Sequence, residues 1–276
     1  MTGFFYMGRI REKFYQIHGA GRKGFIPFVT AGDPDLATSL SIILKLAELG
    51  ADVIELGVPF SDPMADGPTI QRSSQRSLDA VTTLHNVIEL AIEFRTHSEV
   101  PLVLFSYFNP ILRFGIDDFT QIAAKSGIDG VLLTDVIEDE AADIANQFAE
   151  KDIDLISLIA PTTTDERLEK ICNNARGFIY AVSRAGVTGA SENMNSDAEK
   201  LVNRARQFTE LPIAVGFGIS TSEQVADVWR YADATVIGSA IVAEIERAHS
   251  PADAVVRVER LVSELLPKFA KTGVEN

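Results

Sequence analysis

Carboxylates are the residues of this sequence best placed to do chemistry. Glu55 lies in the apolar run 53–56, where burial would raise its pKa and let it both give and take protons. The loop that follows carries Asp62 and Asp66, which are equally good partners on spacing alone, and Asp135 is a third candidate. A core glutamate with ordinary turn aspartates is the alternative interpretation.

Other reactive side chains are missing from the positions where catalysis would need them. No lysine follows a predicted strand, which disfavours a Schiff-base aldolase. The 4 histidines lie in or beside predicted helices without metal-ligand spacing, which disfavours a zinc aldolase. No serine–histidine pair supports acyl transfer. We therefore expect acid–base catalysis by carboxylates, with no metal and no cofactor bound to this chain.

Glycine-rich corners near the end of the sequence indicate phosphate binding. They span 183–189, 216–220 and 238–240. Backbone N–H groups at glycine can approach an anion without a Cβ in the way. Ser239 is predicted to cap a short helix over 240–247, and a helix start attracts anions. Turns that merely need glycine are the alternative to a phosphate site. The polar stretch 184–196 is interpreted as a lid, with an ordinary mobile loop as the alternative.

The elements that position these residues repeat along the chain. A helical pattern ends in a small turn, a short apolar run follows, and a polar loop closes the unit. The apolar runs are 25–29, 53–56, 102–105, 131–133, 155–159, 178–182, 213–215 and 235–237. Eight such runs predict an α/β fold, a (β/α)8 barrel with its site at the carboxyl ends of the strands. An open doubly wound sheet is the alternative.

Helical patterns separate the predicted strands. They cover 36–49, 80–97, 117–126, 138–151, 165–172, 197–208 and 222–231. Residues 9–18 predict an extra helix that plugs the amino-terminal end of the barrel, and residues 1–276 are expected to form one domain. Three aspartates just before strands are interpreted as structural: Asp52, Asp129 and Asp233.

Composition narrows the class of protein. The chain has 276 residues, 46% of them hydrophobic, which is enough for one large core. A formal net charge of −14 argues against nucleic-acid binding. No apolar run approaches the roughly 18 residues that a membrane span needs. The single cysteine, Cys172, cannot form an internal disulfide, which is typical of a cytoplasmic protein.

Five stretches of the sequence resemble the tryptophan synthase α subunit family, in the same order along nearly the whole chain. The most specific is ELGVPFSDPMADGPTIQ at 55–71, which matches the family signature almost without change. The others are PFVTAGDP at 27–34, SRAGVTG at 183–189, GFGIS at 216–220 and GSAIV at 238–242. The resemblance implies cleavage of indole-3-glycerol phosphate to indole and glyceraldehyde 3-phosphate.

The resemblance also implies roles for individual residues. Glu55 would be the general acid and base, and Asp66 would stabilise charge at the indole N–H. The implied phosphate ligands are Gly189, Gly218, Gly238 and Ser239. The implied indole-pocket and supporting residues are Phe28, Ile70, Tyr107, Leu132, Tyr180, Thr188 and Phe217.

The resemblance implies a partner as well. This would be a tryptophan synthase β subunit that carries pyridoxal phosphate, in an α2β2 complex, with Asp62 and Pro63 in the loop facing it. The sequence departs from the family pattern at Thr134, where a small apolar residue is expected, and at Val136 and Ile137, where proline is common. These departures leave both carboxylates in place.

Two other functions remain open at this stage. The chain could mainly activate a β partner while being a feeble catalyst itself, although intact Glu55 and Asp66 oppose this. It could also be another phosphosugar barrel, such as an isomerase or a Schiff-base aldolase. The missing strand-end lysine and the match over 55–71 oppose that reading.

Overall fold

Eight parallel strands form a closed barrel in the order of the sequence. The computed structural model describes residues 8–136, 138–182, 191–216 and 218–266. The strands are β1 (Gly24–Thr30), β2 (Ile54–Gly57), β3 (Leu102–Ser106), β4 (Gly130–Leu133), β5 (Asp154–Ile159), β6 (Ile179–Val182), β7 (Ile213–Gly216) and β8 (Ala234–Ile237). β8 pairs with β1, so the sheet has no free edge. The predicted (β/α)8 barrel is confirmed, and the open sheet is excluded.

Helices cover the outside of this barrel. They are α1 (Arg9–Gly19), α2 (Leu36–Glu48), α3 (Pro68–Asp79), α4 (Leu84–Arg95), α5 (Phe108–Phe114), α6 (Ile116–Lys125), α7 (Glu138–Ala149), α8 (Asp165–Asn174), α9 (Ser191–Ala205), α10 (Ser222–Val228), α11 (Ser239–Glu246) and α12 (Pro251–Leu265). Three of them, α3, α5 and α12, were not identified from the sequence.

Several predicted boundaries need correction. The helix predicted over 80–97 begins at Leu84, because Val81 has a positive φ of 61° and Thr83 caps the helix through its side chain. α3 precedes this break. The predicted lid over 184–196 is interrupted by α9, which begins at Ser191; residues 183–190 lie outside the described part of the chain.

Alternation along the strands divides the core into two layers. One set of side chains points into the barrel and includes Val53, Val103, Leu132, Ile156, Tyr180, Ala214 and Val236. The other set packs against the helices. α1 covers the amino-terminal opening as predicted, and its Phe14 ring lies 5.6 Å from the ring of Phe178. This plug leaves the carboxyl-terminal end as the accessible mouth.

Aspartates fasten the amino-terminal end of the barrel, in agreement with their structural interpretation. Each accepts a backbone N–H near the start of a neighbouring strand and also bonds to an arginine. The N–H donors are Phe25 for Asp52 (3.0 Å), Leu102 for Asp129 (2.9 Å) and Ile213 for Asp233 (2.8 Å). The arginines are Arg22 for Asp52, Arg9 and Arg95 for Asp129, and Arg206 for Asp233.

Candidate active site

A cavity of about 400 Å³ opens at the carboxyl ends of the strands. This is the end at which barrels of this kind carry their active sites. Its lining residues are Phe28, Glu55, Asp66, Gly67, Pro68, Thr69, Ile70, Phe105, Tyr180, Gly218, Val236, Gly238 and Ser239. Two carboxylates, an apolar wall and a glycine-rich corner therefore meet in one space.

Glu55 lies on the floor of this cavity. It is the second residue of β2, paired in register with Phe28 of β1 and Val103 of β3, and its exposed fraction is 1%. Neither carboxylate oxygen has a hydrogen-bond partner among the described residues. Burial raises the pKa of Glu55 to about 8. A carboxyl group held this way is a proton donor near neutrality, and its anion is a strong acceptor.

Tyr180 of β6 shares this interior. Burial, followed by the charge of Glu55, raises the pKa of its phenol well above the ordinary value, so it stays a neutral hydroxyl. Gly216 makes room for it, because a Cβ at that position would lie 2.3 Å from the tyrosine oxygen. The glycine at the end of β7 therefore serves the site through space rather than through backbone conformation.

Asp66 closes the cavity from the loop between β2 and α3. The hydroxyl of Tyr107 donates to its Oδ2 at 3.3 Å and accepts the N–H of Ala65 at 2.8 Å. Burial raises the pKa of Asp66 to about 6, against the hydrogen bond from Tyr107, which lowers it. From inside α3, the Gln71 amide donates to the Asp66 carbonyl at 2.9 Å. Tyr107 thus holds the carboxylate of Asp66, and Gln71 holds its backbone.

The structure separates the three aspartates that spacing alone left equal. Only Asp66 lines the cavity. Asp62 is exposed and accepts a hydrogen bond from the neighbouring Ser61 at 2.6 Å. Asp135 is also exposed, and it accepts the N–H of Phe108 at 2.7 Å at the start of α5.

An apolar wall faces the two carboxylates. Phe28 and Ile70 belong to it as expected, and Phe105 joins them, with its ring 5.3 Å from that of Phe28 at an angle of 78°. The sequence interpretation missed Phe105, although it lies two residues beyond Val103 and therefore on the same face of β3. Gly57 keeps this wall in place, since a Cβ there would lie 2.6 Å from the Phe28 ring.

Two other residues expected in the indole pocket, Leu132 and Tyr107, do not line this cavity. Leu132 is fully buried in the interior layer and does not line the cavity. Tyr107 does not line it either and contacts Asp66 instead. Thr188, Gly189 and Phe217 lie outside the described residues.

The glycine-rich corner lines the same cavity as Asp66. Gly218 has a positive φ of 70°, a conformation that favours glycine. Gly238 is the N-cap of α11 and Ser239 is its first residue, so the prediction that Ser239 caps this helix is wrong by one position. The eight residues of α11 still direct the positive end of the helix dipole at the cavity. This corner can hold an anion by backbone N–H groups.

The described residues show neither a metal site nor a membrane-spanning helix. No group of three or more His, Cys, Asp or Glu side chains there is arranged to hold a metal ion. None of the helices in the described ranges is both long enough and apolar enough to cross a membrane. Cys172 is a free, buried thiol on α8.

Comparison with known proteins agrees with this geometry. The family model described as tryptophan synthase alpha chain matches residues 14–269. The tryptophan synthase alpha chain of Geobacter sulfurreducens is 47% identical over 241 residues, covering 87% of this chain and 91% of that protein. That of Thermoanaerobacter sp. is 42% identical over 259 residues, covering 94% and 98%.

Solved structures give the same result. Tryptophan synthase subunit alpha from Legionella pneumophila superposes with a TM-score of 0.87 at 34% identity, covering 94% of this chain and 97% of that one. The tryptophan synthase A-subunit from Pyrococcus furiosus gives 0.82 at 40% identity, covering 88% and 97%. With the fold, the order of motifs and the sequence all in agreement, the chain belongs to the tryptophan synthase alpha chain family.

Proposed function

We propose that Glu55 and Asp66 carry out the reaction of this family in this chain. The tryptophan synthase alpha chain is a lyase subunit that cleaves indole-3-glycerol phosphate to indole and glyceraldehyde 3-phosphate. The observation that carries the residue assignment is that one cavity holds Asp66 and a buried Glu55 with no hydrogen-bond partner among the described residues, with pKa values raised to about 6 and about 8.

Glu55 moves the protons. Carbon 3 of the indole must be protonated before its bond to the glycerol chain can break, and Glu55 is a neutral acid below about pH 8. The resulting carboxylate then takes the proton of the hydroxyl on the adjacent carbon as the carbon–carbon bond cleaves. Indole and the aldehyde leave, and Glu55 is protonated again, ready for the next turnover.

Asp66 stabilises the charge that this protonation creates. Protonation at carbon 3 places positive charge on the ring nitrogen, and a carboxylate that accepts the ring N–H offsets it. With a pKa raised only to about 6, Asp66 is largely ionised near neutrality. The hydrogen bond from Tyr107 fixes its direction before substrate arrives. Phe28, Ile70 and Phe105 enclose the ring and keep water away.

The glycine-rich corner holds the phosphate. Gly218, Gly238 and Ser239 line the cavity at the start of α11, and Gly189 is the fourth ligand in this proposal. Binding energy gained at the phosphate, remote from the breaking bond, positions the reacting carbons. Tyr180 lies beside Glu55. Thr188 and Phe217 are further supporting residues in this proposal, and the buried Leu132 packs in the interior layer of the barrel.

The chain works with a partner. The tryptophan synthase alpha chain associates with the beta subunit, and the α2β2 arrangement is part of this proposal, with pyridoxal phosphate belonging to the beta subunit alone. The loop with Asp62 and Pro63 is suited to face that subunit, because Met64 at its tip is 93% exposed while Phe60 packs on Tyr107 at 4.9 Å. We assign the complex to the cytoplasm. We also assign residues 1–276 to one domain, because β1 and β8 pair and close the barrel.

Indole release from indole-3-glycerol phosphate tests this function. The purified chain is assayed with and without a tryptophan synthase beta subunit, beside Glu55→Gln and the exposed control Glu48→Gln. We expect release by wild type, stimulation by the partner, loss in Glu55→Gln and full activity in Glu48→Gln. Activation of the beta subunit without any indole release would instead support the regulatory-subunit function. Neither activity in a folded sample would refute the proposal.

A further inference from the structure

Two helices begin at the cavity, and their side chains contact each other away from it. α3 begins directly after Asp66, with Gly67 as N-cap, and its first turn lines the cavity. α11 begins at Ser239 in the glycine-rich corner. The carboxylate and the anion corner are therefore each attached to the start of one helix.

Charged side chains join these two helices farther along. Arg72 of α3 donates from Nε and Nη2 to the two oxygens of Glu246 at 2.7 and 2.8 Å. Arg76, one turn later, donates to Glu246 at 2.8 Å and to both oxygens of Asp33 at 2.8 Å. The Asp33 side chain is fully buried in the loop after β1. We call Arg72, Arg76, Glu246 and Asp33 the arginine bridge.

Glu246 occupies an unfavourable position for its own helix. It is the last residue of α11, where the helix dipole favours a cation over a carboxylate. The two arginines offset this, since hydrogen bonds from Arg72, with the charges of both arginines, lower the pKa of Glu246 to about 2. Glu246 is thus ionised throughout the working pH range, and its partners lie on α3 rather than on its own helix.

α3 depends on polar contacts for its placement. Its buried residues are all serines: Ser73, Ser74 and Ser77. The Ser73 hydroxyl lies 2.6 Å from that of Thr30, and the Ser77 hydroxyl donates to the Ala31 carbonyl at 2.5 Å. With no large apolar side chain buried, the helix lacks the packing that fixes most helices. The forked arginine contacts therefore act together with these hydroxyl contacts to hold α3 against its neighbours.

We propose that the arginine bridge couples the phosphate corner to Asp66. Phosphate binding orders the start of α11, Glu246 transmits this order to Arg72 and Arg76, and α3 then fixes Asp66 through its own first turn and the Gln71 contact. Arg72 and Glu246 are positioning residues, since neither touches the cavity. This inference rests on the proposed function and adds the means by which the remote phosphate affects the reacting end.

Hydrogen exchange with inorganic phosphate as the probe tests the coupling without any turnover. In wild type we expect phosphate to slow amide exchange by about threefold or more in peptides covering both 66–76 and 238–246. In Glu246→Gln the protection of 238–246 persists and that of 66–76 is lost. Equal protection of 66–76 in the two proteins would overturn the bridge, and so would absence of phosphate protection in wild type.

Glu244→Gln is the matched control. Glu244 lies on the same helix but accepts from Arg247 at 2.6 Å and from Arg257 of α12 at 3.1 Å, away from α3. Its variant should keep the wild-type exchange pattern in both regions. Arg72→Lys, which keeps the charge but loses the fork, should reduce the coupling partly, and Arg72 is exposed enough for the variant to fold. Loss of coupling in Glu244→Gln would mean that any damage to α11 suffices.

Kinetics separates this inference from the proposed function. With indole-3-glycerol phosphate, Glu246→Gln should lower kcat about fivefold and change KM by less than about twofold, because α3 is misplaced while the phosphate still binds. Unchanged kcat would overturn the bridge and leave the lyase function standing. Absence of indole release by wild type, together with the expected exchange pattern, would refute the lyase function and leave the bridge standing.

Discussion

At the amino-terminal end of the barrel, Asp129 bonds to Arg9, Arg95 and the Leu102 N–H, whereas at the carboxyl-terminal end Glu55 bonds to nothing among the described residues. Burial raises the pKa of both, but only Asp129 has arginines and an N–H to counteract it. In this barrel, a carboxylate paired with arginines fixes the strands, and a carboxyl group without such partners among the described residues is suited to move protons. The same residue class therefore serves stability at one end and chemistry at the other.

Removing the Glu55 carboxylate should give the largest effect on activity. We expect Glu55→Gln to lower kcat by about 10³-fold, the range for loss of a general acid–base group. Its free energy of unfolding should stay equal or rise, because the variant removes a buried carboxyl group that has no partner among the described residues. Chemical denaturation and indole release measure the two quantities. A large loss of stability would mean that Glu55 is a structural residue like Asp129.

The opposite result is expected at the other end. Asp129→Asn removes the carboxylate that pairs with Arg95 and one of the two carboxylates that pair with Arg9, and it should reduce the free energy of unfolding by about 3 kcal/mol. Turnover per folded molecule should change by less than about twofold, since Asp129 does not line the cavity. A thousandfold loss of kcat in folded Asp129→Asn would break the comparison. Denaturation curves and active-fraction titration supply both values.

The pH dependence sharpens the assignment within the mouth. Glu55 must be protonated so that it can donate its proton to carbon 3, and Asp66 must be ionised. We therefore expect kcat/KM to rise as pH increases through about 6 and to fall as pH increases through about 8. Tyr107→Phe removes a hydrogen bond that lowers the pKa of Asp66, so the acid limb alone should move to higher pH. Movement of the alkaline limb instead would reverse the two roles.

Much of this contrast was predictable from the sequence, and the rest required the fold. The run 53–56 and the loop after it identified Glu55, because a carboxylate among apolar strand residues is a strong local signal. Spacing alone left Asp66 and Asp62 equal, and the family resemblance favoured Asp66. The fold supplies the physical difference, because the loop brings Asp66 to Tyr107, which lies 41 residues farther along the sequence. Neither periodicity nor spacing carries that information.

Helices with weak local signals were also missed. α3 has low apolar content on its buried face, where Ser73, Ser74 and Ser77 replace the usual leucines, so no 3.6-residue hydrophobic pattern marks it. Its position comes from tertiary contacts, chiefly those of Arg72 and Arg76 with distant Glu246 and Asp33. Phe105 was missed for a different reason. Its strand was predicted, but the alternation of side chains along that strand was not used to place Phe105 on the inner face.

Asp154 should give the smallest effect of these tests. It combines the location of the structural aspartates with a raised pKa like that of the cavity carboxylates. It lies at the amino-terminal start of β5, yet burial raises its pKa to about 6, with the charges of Arg176 and Arg11 opposing this. If a raised pKa alone marked a catalytic group, Asp154→Asn would lose activity. We expect kcat to be unchanged, since Asp154 does not line the cavity.

Stability should respond at Asp154 instead. A carboxyl whose pKa is raised on folding contributes stability that is present below its unfolded pKa and is lost as pH rises through about 6. Asp154→Asn removes this loss, so the variant should gain about 1 kcal/mol over wild type near neutrality, and the gain should vanish in acid. Chemical denaturation of both proteins near neutrality and in acid measures this difference in the free energy of unfolding. If the difference in free energy of unfolding between the variant and wild type is the same at both pH values, the effect comes from packing rather than charge. A pH-dependent difference with full activity would show that a raised carboxyl pKa indicates catalysis only where the carboxyl group also lines a cavity.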